Sequence, residues 1–361
     1  MILNSKIPHP FFKVQPFNFV PLSRTPWGGT RIAEVKKKYH PTQDIPALIG
    51  ESWEFSTDAS FPSYVQQNEN TQSPLLTDYI EAHGPAILGE SLYTTYGAHV
   101  PLLLKWLCAK DLLSVQLHPT NTDPRLKPGE CGKPEAWLVL DAQQDSYVYL
   151  GFKEGLTPTE ITQALLEDDP ERCLYKYHPQ KYDVIFVPPG LVHAIGPGVF
   201  VIEPQYVLPQ KSGKTWRISD WKRTYLPNGT LSPQGTPREL HTADALGAID
   251  WNLPQGKALV NQVVTQVSHA QAPQLPGNPF LMMPYLEAGT FIYNHLIPEQ
   301  FSLISVWSGK VTLRDMTGDT PPITLLAGEC GCVCAFVPQV EVILESYLGE
   351  TPGACFFGFL D

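Results

Sequence analysis

The sequence predicts a mainly β protein with two β-barrel domains and a helical insertion in the first. Three observations carry this. Proline, at 36 of 361 residues, stands at about twice ordinary usage and is spread along the chain, so it reads as turn and strand-edge punctuation. Short segments with β-branched or aromatic alternation recur between Gly, Pro or Asp stops: HVPLLLKWL, AWLVLD, SYVYLGF, DVIFVPPG and GVFVIEP. The last third repeats the style in GTFIYNHLIP, SLISVWSG, KVTLRD, PITLLAGECGCVCAFVP and VEVILESY.

Two stretches read as helices. In SPLLTDYIEAHGPAILG, Leu76, Tyr79 and Ile80 fall at helical spacing, and Gly84-Pro85 is expected to stop the helix. In LTPTEITQALLEDD, Thr157 is a plausible N-cap, Pro158 takes the first helical position, and Glu160 completes a capping box. A length of 361 residues accommodates two domains. The Pro, Gly, Asn and Ser content of LPNGTLSPQGTPREL puts the boundary within 225–260, giving domains 1–240 and 241–361.

Composition excludes several classes. A net charge of -11 argues against nonspecific nucleic-acid or anionic-membrane binding. The N-terminal segment carries early prolines and lacks the apolar run of a signal peptide. The longest apolar stretches are far too short to span a bilayer. A soluble, cytoplasmic protein is expected, either a monomer or a weak homo-oligomer. Cys330, Cys332 and Cys334 alternate along one probable strand; small buried hydrophobes in a reducing compartment suit them better than a thiolate site, since no further ligands stand nearby. Neither a phosphate-binding GxxxxGK[ST] loop, nor GxGxxG after a strand, nor GxSxG occurs.

Unusual polar groups interrupt otherwise apolar strands. In SVQLHP, Gln116 and His118 are two apart and so face one side of a strand. Glu135 begins the strand of GKPEAWLVLD, and His193 follows the Pro-Pro-Gly turn of VPPGLVHAIG. Singly, each is a satisfied polar residue as readily as a ligand. Together, two imidazoles, a carboxylate and an amide oxygen form a four-ligand set suited to zinc, in the scatter seen on cupin barrels. If the strand starts there, Lys133 shares the face of Glu135; Arg217 lies in KTWRISDW, where an ion pair with Asp220 is the alternative to a substrate contact. Lys and Arg beside a metal pocket suit an anionic substrate.

In order along the chain, PWGGTRI (26–32), GESWEFS (50–56), PLLLKWLCAKDLLSVQLHP (101–119), GKPEAWLVLD (132–141), VPPGLVHAIGPGVFVIE (187–203), TWRISDW (215–221) and RELH (238–241) resemble the type I mannose-6-phosphate isomerases, the phosphomannose isomerase branch of the cupin superfamily. The resemblance implies two jelly-roll cupin domains, the second without metal. It implies one zinc ion held by Gln116, His118, Glu135 and His193, with Arg217 and Lys133 beside the substrate. Glu203 matches an acidic position of the family motif and is the candidate for proton transfer, or else a strand-end carboxylate paired with Arg217 or Lys133. The implied activity interconverts mannose 6-phosphate and fructose 6-phosphate, with no organic cofactor. The alternatives are an isomerase of another sugar or sugar phosphate and a metal-bound cupin that binds sugars without turnover. One departure stands out: PQYVLPQKSGKTW, from Glu203 to Arg217, is longer than in short bacterial members and lacks their NSD-like triplet. Its Lys211 and Lys214 are either phosphate contacts or part of a solvated loop.

Overall fold

The computed structural model describes residues 9–67, 72–270, 274–318 and 320–360. The chain is mainly β, as the alternation requires. The first half builds two facing sheets. One has six strands in the order Val264–Gln266, Asp183–Val187, Glu135–Ala142, Val199–Tyr206, Leu102–Cys108, Glu51–Phe55. The other has five, in the order Trp216–Ser219, Val115–Leu117, His193–Ile195, Val148–Phe152, Leu174–Tyr177.

Period-two alternation decides which side chains enter the space between them. On Glu135–Ala142, Trp137 and Val139 face inward, while Ala136, Leu138 and Leu140 join the large core on the other side. Val199–Tyr206 repeats this, with Val199 and Val201 inward and Phe200 and Ile202 outward. In the five-stranded sheet, Val115, Leu117, Ala194, Trp216 and Ile218 pack outward, which leaves Gln116, His193 and Arg217 pointing in. One end of the interior is therefore apolar and the other end polar.

The second half forms a five-stranded sheet containing Cys330–Val333, Ser302–Ser308, Gly353–Phe359 and Phe280–Tyr285, and a four-stranded sheet of Gly289–Tyr293, Val340–Glu345, Lys310–Asp315 and Ile323–Leu326. Its core is continuous with the outer face of the six-stranded sheet. Two segments pair across the expected 240/241 division. Phe11–Val14 adds to the second half, antiparallel to Cys330–Val333. Val264–Gln266 completes the first half beside Asp183–Val187, and the preceding helix Gly256–Val263 buries Leu259 and Val263 in the first interior.

The predicted cap is present: Thr157 accepts from the Glu160 amide while Glu160 reaches back to Thr157. The predicted stop is a kink. The helix Leu76–Leu88 runs through Gly84, whose backbone leaves helical geometry (φ 5°, ψ -91°). A Cβ there would lie 2.5 Å from the Tyr93 ring, so glycine is required by close approach as well as by the bend. The predicted single strand PITLLAGECGCVCAFVP is two strands in different sheets, divided at Gly328, whose φ of +91° turns the chain. All seven cysteines are free and buried. No described helix is long and apolar enough to cross a membrane.

A fully buried ion pair within the first half also reaches the second. Lys36, on the helix Arg31–Tyr39, places its Nζ 2.7 and 3.0 Å from the Glu54 carboxylate oxygens and 2.9 Å from the Gly328 carbonyl, and also donates to the Pro16 carbonyl. Burial pulls the ammonium down from its ordinary pKa and pushes the Glu54 carboxyl up.

Candidate metal centre and active site

The antiparallel register brings the inward-facing polar residues together. Gln116 lies opposite His193 on one side and Arg217 on the other. From the facing sheet, Glu135 pairs with Gln205, and Glu203 pairs with Lys105. A cleft of about 320 Å³ opens over them, lined by Gln116, Lys133, Glu135, His193, Glu203 and Arg217 among others.

His118, Glu135 and His193 are buried with ligand atoms within 4.8 Å of one another. His118 Nε2 is 3.1 Å from one Glu135 oxygen, and His193 Nε2 is 3.5 Å from the other. Each imidazole is oriented from behind by a backbone carbonyl, Lys214 O at 3.0 Å for His118 Nδ1 and Leu191 O at 2.9 Å for His193 Nδ1. A carbonyl only accepts, so both Nδ1 atoms carry the proton and both Nε2 lone pairs face the carboxylate. His118 Nε2 accordingly makes no hydrogen bond. Lone pairs converging on an anion in a buried space are unfavourable unless a cation lies between them, so the residues present fit a divalent ion with N and O ligands. Gln116 stands beside them, its Nε2 3.4 Å from His193 Nε2 and its Oε1 accepting from Ser114 Oγ at 3.0 Å. To serve as a fourth ligand, its amide must turn its oxygen inward, a rotation that leaves the shape of the side chain unchanged.

Electrostatics support the same reading. Burial, reinforced by His118, pushes His193 down to about 4, and burial also lowers His118, so both imidazoles are neutral at neutral pH. Burial alone would raise Glu135, but positive charge beside it, the Lys133 ammonium above all once the imidazoles are neutral, holds it well below the ordinary carboxylate range. Lys133 Nζ is 3.5 Å from Glu135, although the strand begins only at Glu135 and Lys133 lies in the segment before it.

Glu203 is buried beside this cluster. It accepts from the Trp137 indole at 3.0 Å and the Gln205 amide at 2.6 Å, and the same Gln205 amide also reaches Glu135 at 2.8 Å. Burial and then the Glu135 charge push its pKa up to about 8. The sequence alternative of a pair with Arg217 or Lys133 is replaced by a different cation: Lys105 Nζ lies 3.8 Å away. Lys105 also sits 3.4 Å from Glu51 and 4.8 Å over the Trp53 ring.

Sequence reasoning gave Lys105 and Glu51 no role. Their signal was a lysine inside the apolar run LLLKWL and a glutamate opening the ESWEF strand, but only the strand pairing brings them to the cleft. Arg217 is not paired with Asp220. Its Nη1 donates to the Glu239 carbonyl at 2.7 Å, and its backbone N–H donates to His241 Nδ1 at 3.2 Å. Asp220 instead takes Arg223 and Arg238. In the long segment, Lys214 pairs with Glu130 at 3.0 Å and contributes its carbonyl to His118; Lys211 is exposed on a neighbouring cleft.

Comparison with known proteins agrees with this architecture. Residues 20–149 match the family model for the catalytic domain of type I phosphomannose isomerase. Mannose-6-phosphate isomerase of Streptococcus mutans is 31% identical over 229 residues, which is 63% of this chain and 65% of that protein. ManA of Bacillus subtilis, also named mannose-6-phosphate isomerase, is 31% identical over 62% of this chain and 64% of its own length. The chain thus spans just under two thirds of these two relatives. GmuF of Bacillus subtilis is 30% identical over 68% of this chain and 70% of its own length. Among solved structures, the mannose 6-phosphate isomerase of Bacillus subtilis has the same fold, with a TM-score of 0.72 at 21% identity over 97% of this chain and 99% of that one. A zinc-bound mannose 6-phosphate isomerase gives 0.70 at 14% identity over 98% and 100%. Sequence match and shared fold together make this chain a member of the type I phosphomannose isomerase family.

Proposed function

We propose that the protein is a zinc-dependent aldose–ketose isomerase that interconverts mannose 6-phosphate and fructose 6-phosphate. The observation that carries this is the convergence of two neutral imidazoles on the buried carboxylate of Glu135, with a protonatable carboxyl, Glu203, in the same cleft. His118, Glu135 and His193, with Gln116, would hold the ion. When bound, zinc supplies Lewis-acid polarisation of the sugar's oxygens.

The chain's own groups do the rest. Isomerisation moves a proton between C1 and C2 through an enediolate, and a carboxyl raised to about 8 exchanges protons in both directions near neutral pH. Trp137 and Gln205 fix the Glu203 carboxyl by donating to its two oxygens. Lys105 stands next to it as a fixed positive charge. Lys133 and Arg217 add positive charge to the cleft wall, where it offsets charge developing on the substrate.

A coupled assay with mannose 6-phosphate, run against free mannose, tests the reading directly; absence of turnover of the phosphate would overturn it. Glu203→Gln keeps the shape and the metal ligands. Its kcat is expected to fall by roughly 10²–10⁴ with bound metal unchanged. An unaltered kcat would remove Glu203 from the chemistry.

A further inference from the structure

We infer that Arg238, set beside Arg217, forms the subsite for the substrate's phosphate group. This rests on the sugar-phosphate reading above. Arg238 belongs to RELH, which reads from sequence as a linker, yet the structure folds this segment against the cleft. The Arg217 side chain donates to the Glu239 carbonyl, and the backbones of Arg217 and His241 bond to each other. Arg238 Nε and Nη2 hold Asp220 at 2.8 and 2.6 Å, which fixes the guanidinium plane. Arg223 takes the same Asp220 oxygen at 2.6 Å. Two guanidinium groups, Arg223 and Arg238, therefore share one buried carboxylate, with Arg217 nearby but not bonded to it, and Glu239 turns its own carboxylate to solvent. Arg217 Nε is buried with no hydrogen-bond partner. One carboxylate among three neighbouring guanidinium groups leaves net positive charge, and an unpartnered Arg217 Nε, at the cleft wall, which is the chemistry that recognises a phosphate dianion.

Placement agrees with the length of the substrate. The strand register runs Trp216 opposite Leu117, Arg217 opposite Gln116 and Ser219 opposite Val115, so Asp220 and its partner Arg238 lie further along the cleft from His118. Ser114 and Arg238 both line that end. A hexose with C1 and C2 at the metal ligands would extend its sixth carbon in this direction. The other cations of the cleft are differently engaged. Lys105 is matched by Glu51 and Glu203, and Lys133 by Glu135. Arg24 is exposed and stacks over Trp53 and Phe61 at 5.9 and 5.8 Å.

The test compares Arg238→Ala, Arg238→Lys and Arg24→Ala in the zinc-loaded protein. Readouts are kinetics on mannose 6-phosphate and on free mannose, and calorimetric titration with inorganic phosphate. Arg238→Ala is expected to raise KM for mannose 6-phosphate and weaken inorganic phosphate binding by about 30-fold or more, while kcat/KM on free mannose stays within about twofold. Arg238→Lys should retain part of both, which separates the charge from any effect on folding. Equal losses on the two sugars, an unchanged KM for the phosphate, or a phosphate-selective loss in Arg24→Ala instead would overturn the inference. A wild-type protein inactive on mannose 6-phosphate would overturn the isomerase reading. In that event, loss of inorganic phosphate binding in Arg238→Ala would still support the anion subsite.

Discussion

Glu135→Gln is expected to weaken zinc binding by at least about 100-fold and to remove isomerase activity at ordinary zinc concentrations. The substitution preserves size and can still bond to Gln205, so the fold should survive. What it removes is the negative charge on which the His118 and His193 lone pairs converge. It also removes the charge that pairs with Lys133, so the cleft gains net positive potential just where a cation must bind. Equilibrium dialysis against zinc, read beside the coupled assay, separates the two effects. Retained zinc with lost activity would move Glu135 from metal holding to another role.

The second large effect is on stability, at a pair that does not line the cleft. Lys36→Ala leaves the Glu54 carboxylate fully buried with no cation beside it, and is expected to cost about 3–5 kcal/mol. The same change strands the Gly328 and Pro16 carbonyls that the ammonium now satisfies. The double change Lys36→Met with Glu54→Leu removes both charges and should recover the part of the loss due to the buried unpaired carboxylate, while the two carbonyls stay without their donor. Urea unfolding of the three proteins measures this. A loss below about 1 kcal/mol in Lys36→Ala would mean that water reaches the pair.

Much of the site was legible because period-two alternation is a local property. Gln116 and His118 fall on one side, His118 just past the strand's end, whereas Lys133 precedes the strand that begins at Glu135, so alternation does not account for its approach to Glu135. That these residues meet His193 was read from the residue types taken together and implied again by the resemblance, and the register sets Gln116 opposite His193. The residues that were missed depend on pairing alone. Lys105 enters the cleft because its strand lies beside Val199–Tyr206 with Glu203 opposite it, a contact between positions far apart in the chain. Arg238 was read as linker because nothing local marks RELH as folding back over Arg217.

The fold shows the same division. Thr157, Pro158 and Glu160 fixed a helix start by side chains within one turn, and that start is where the sequence puts it. Gly84-Pro85 breaks helical geometry where the sequence puts the stop, and a further helical turn then runs to Leu88, with Tyr93 packed close to the bend. Phe280–Tyr285 and Gly353–Phe359 pair with each other in the second half yet had weak strand signals. The first contains Pro284 and the second two glycines, and their burial, not their propensity, makes them strands. The strand exchange of Phe11–Val14 and Val264–Gln266 was invisible for the same reason as Lys105: composition marks a linker, whereas pairing partners are set by the assembled core.

The most direct measurement strips the protein of metal with a chelator, returns zinc in steps, and follows bound metal and fructose 6-phosphate formation in the same samples. Turnover of mannose 6-phosphate should be lost on stripping and should rise in proportion to zinc, saturating at one ion per chain. Full turnover by protein shown to be metal-free, or zinc binding that restores none, would contradict a zinc-dependent isomerase built on His118, Glu135 and His193.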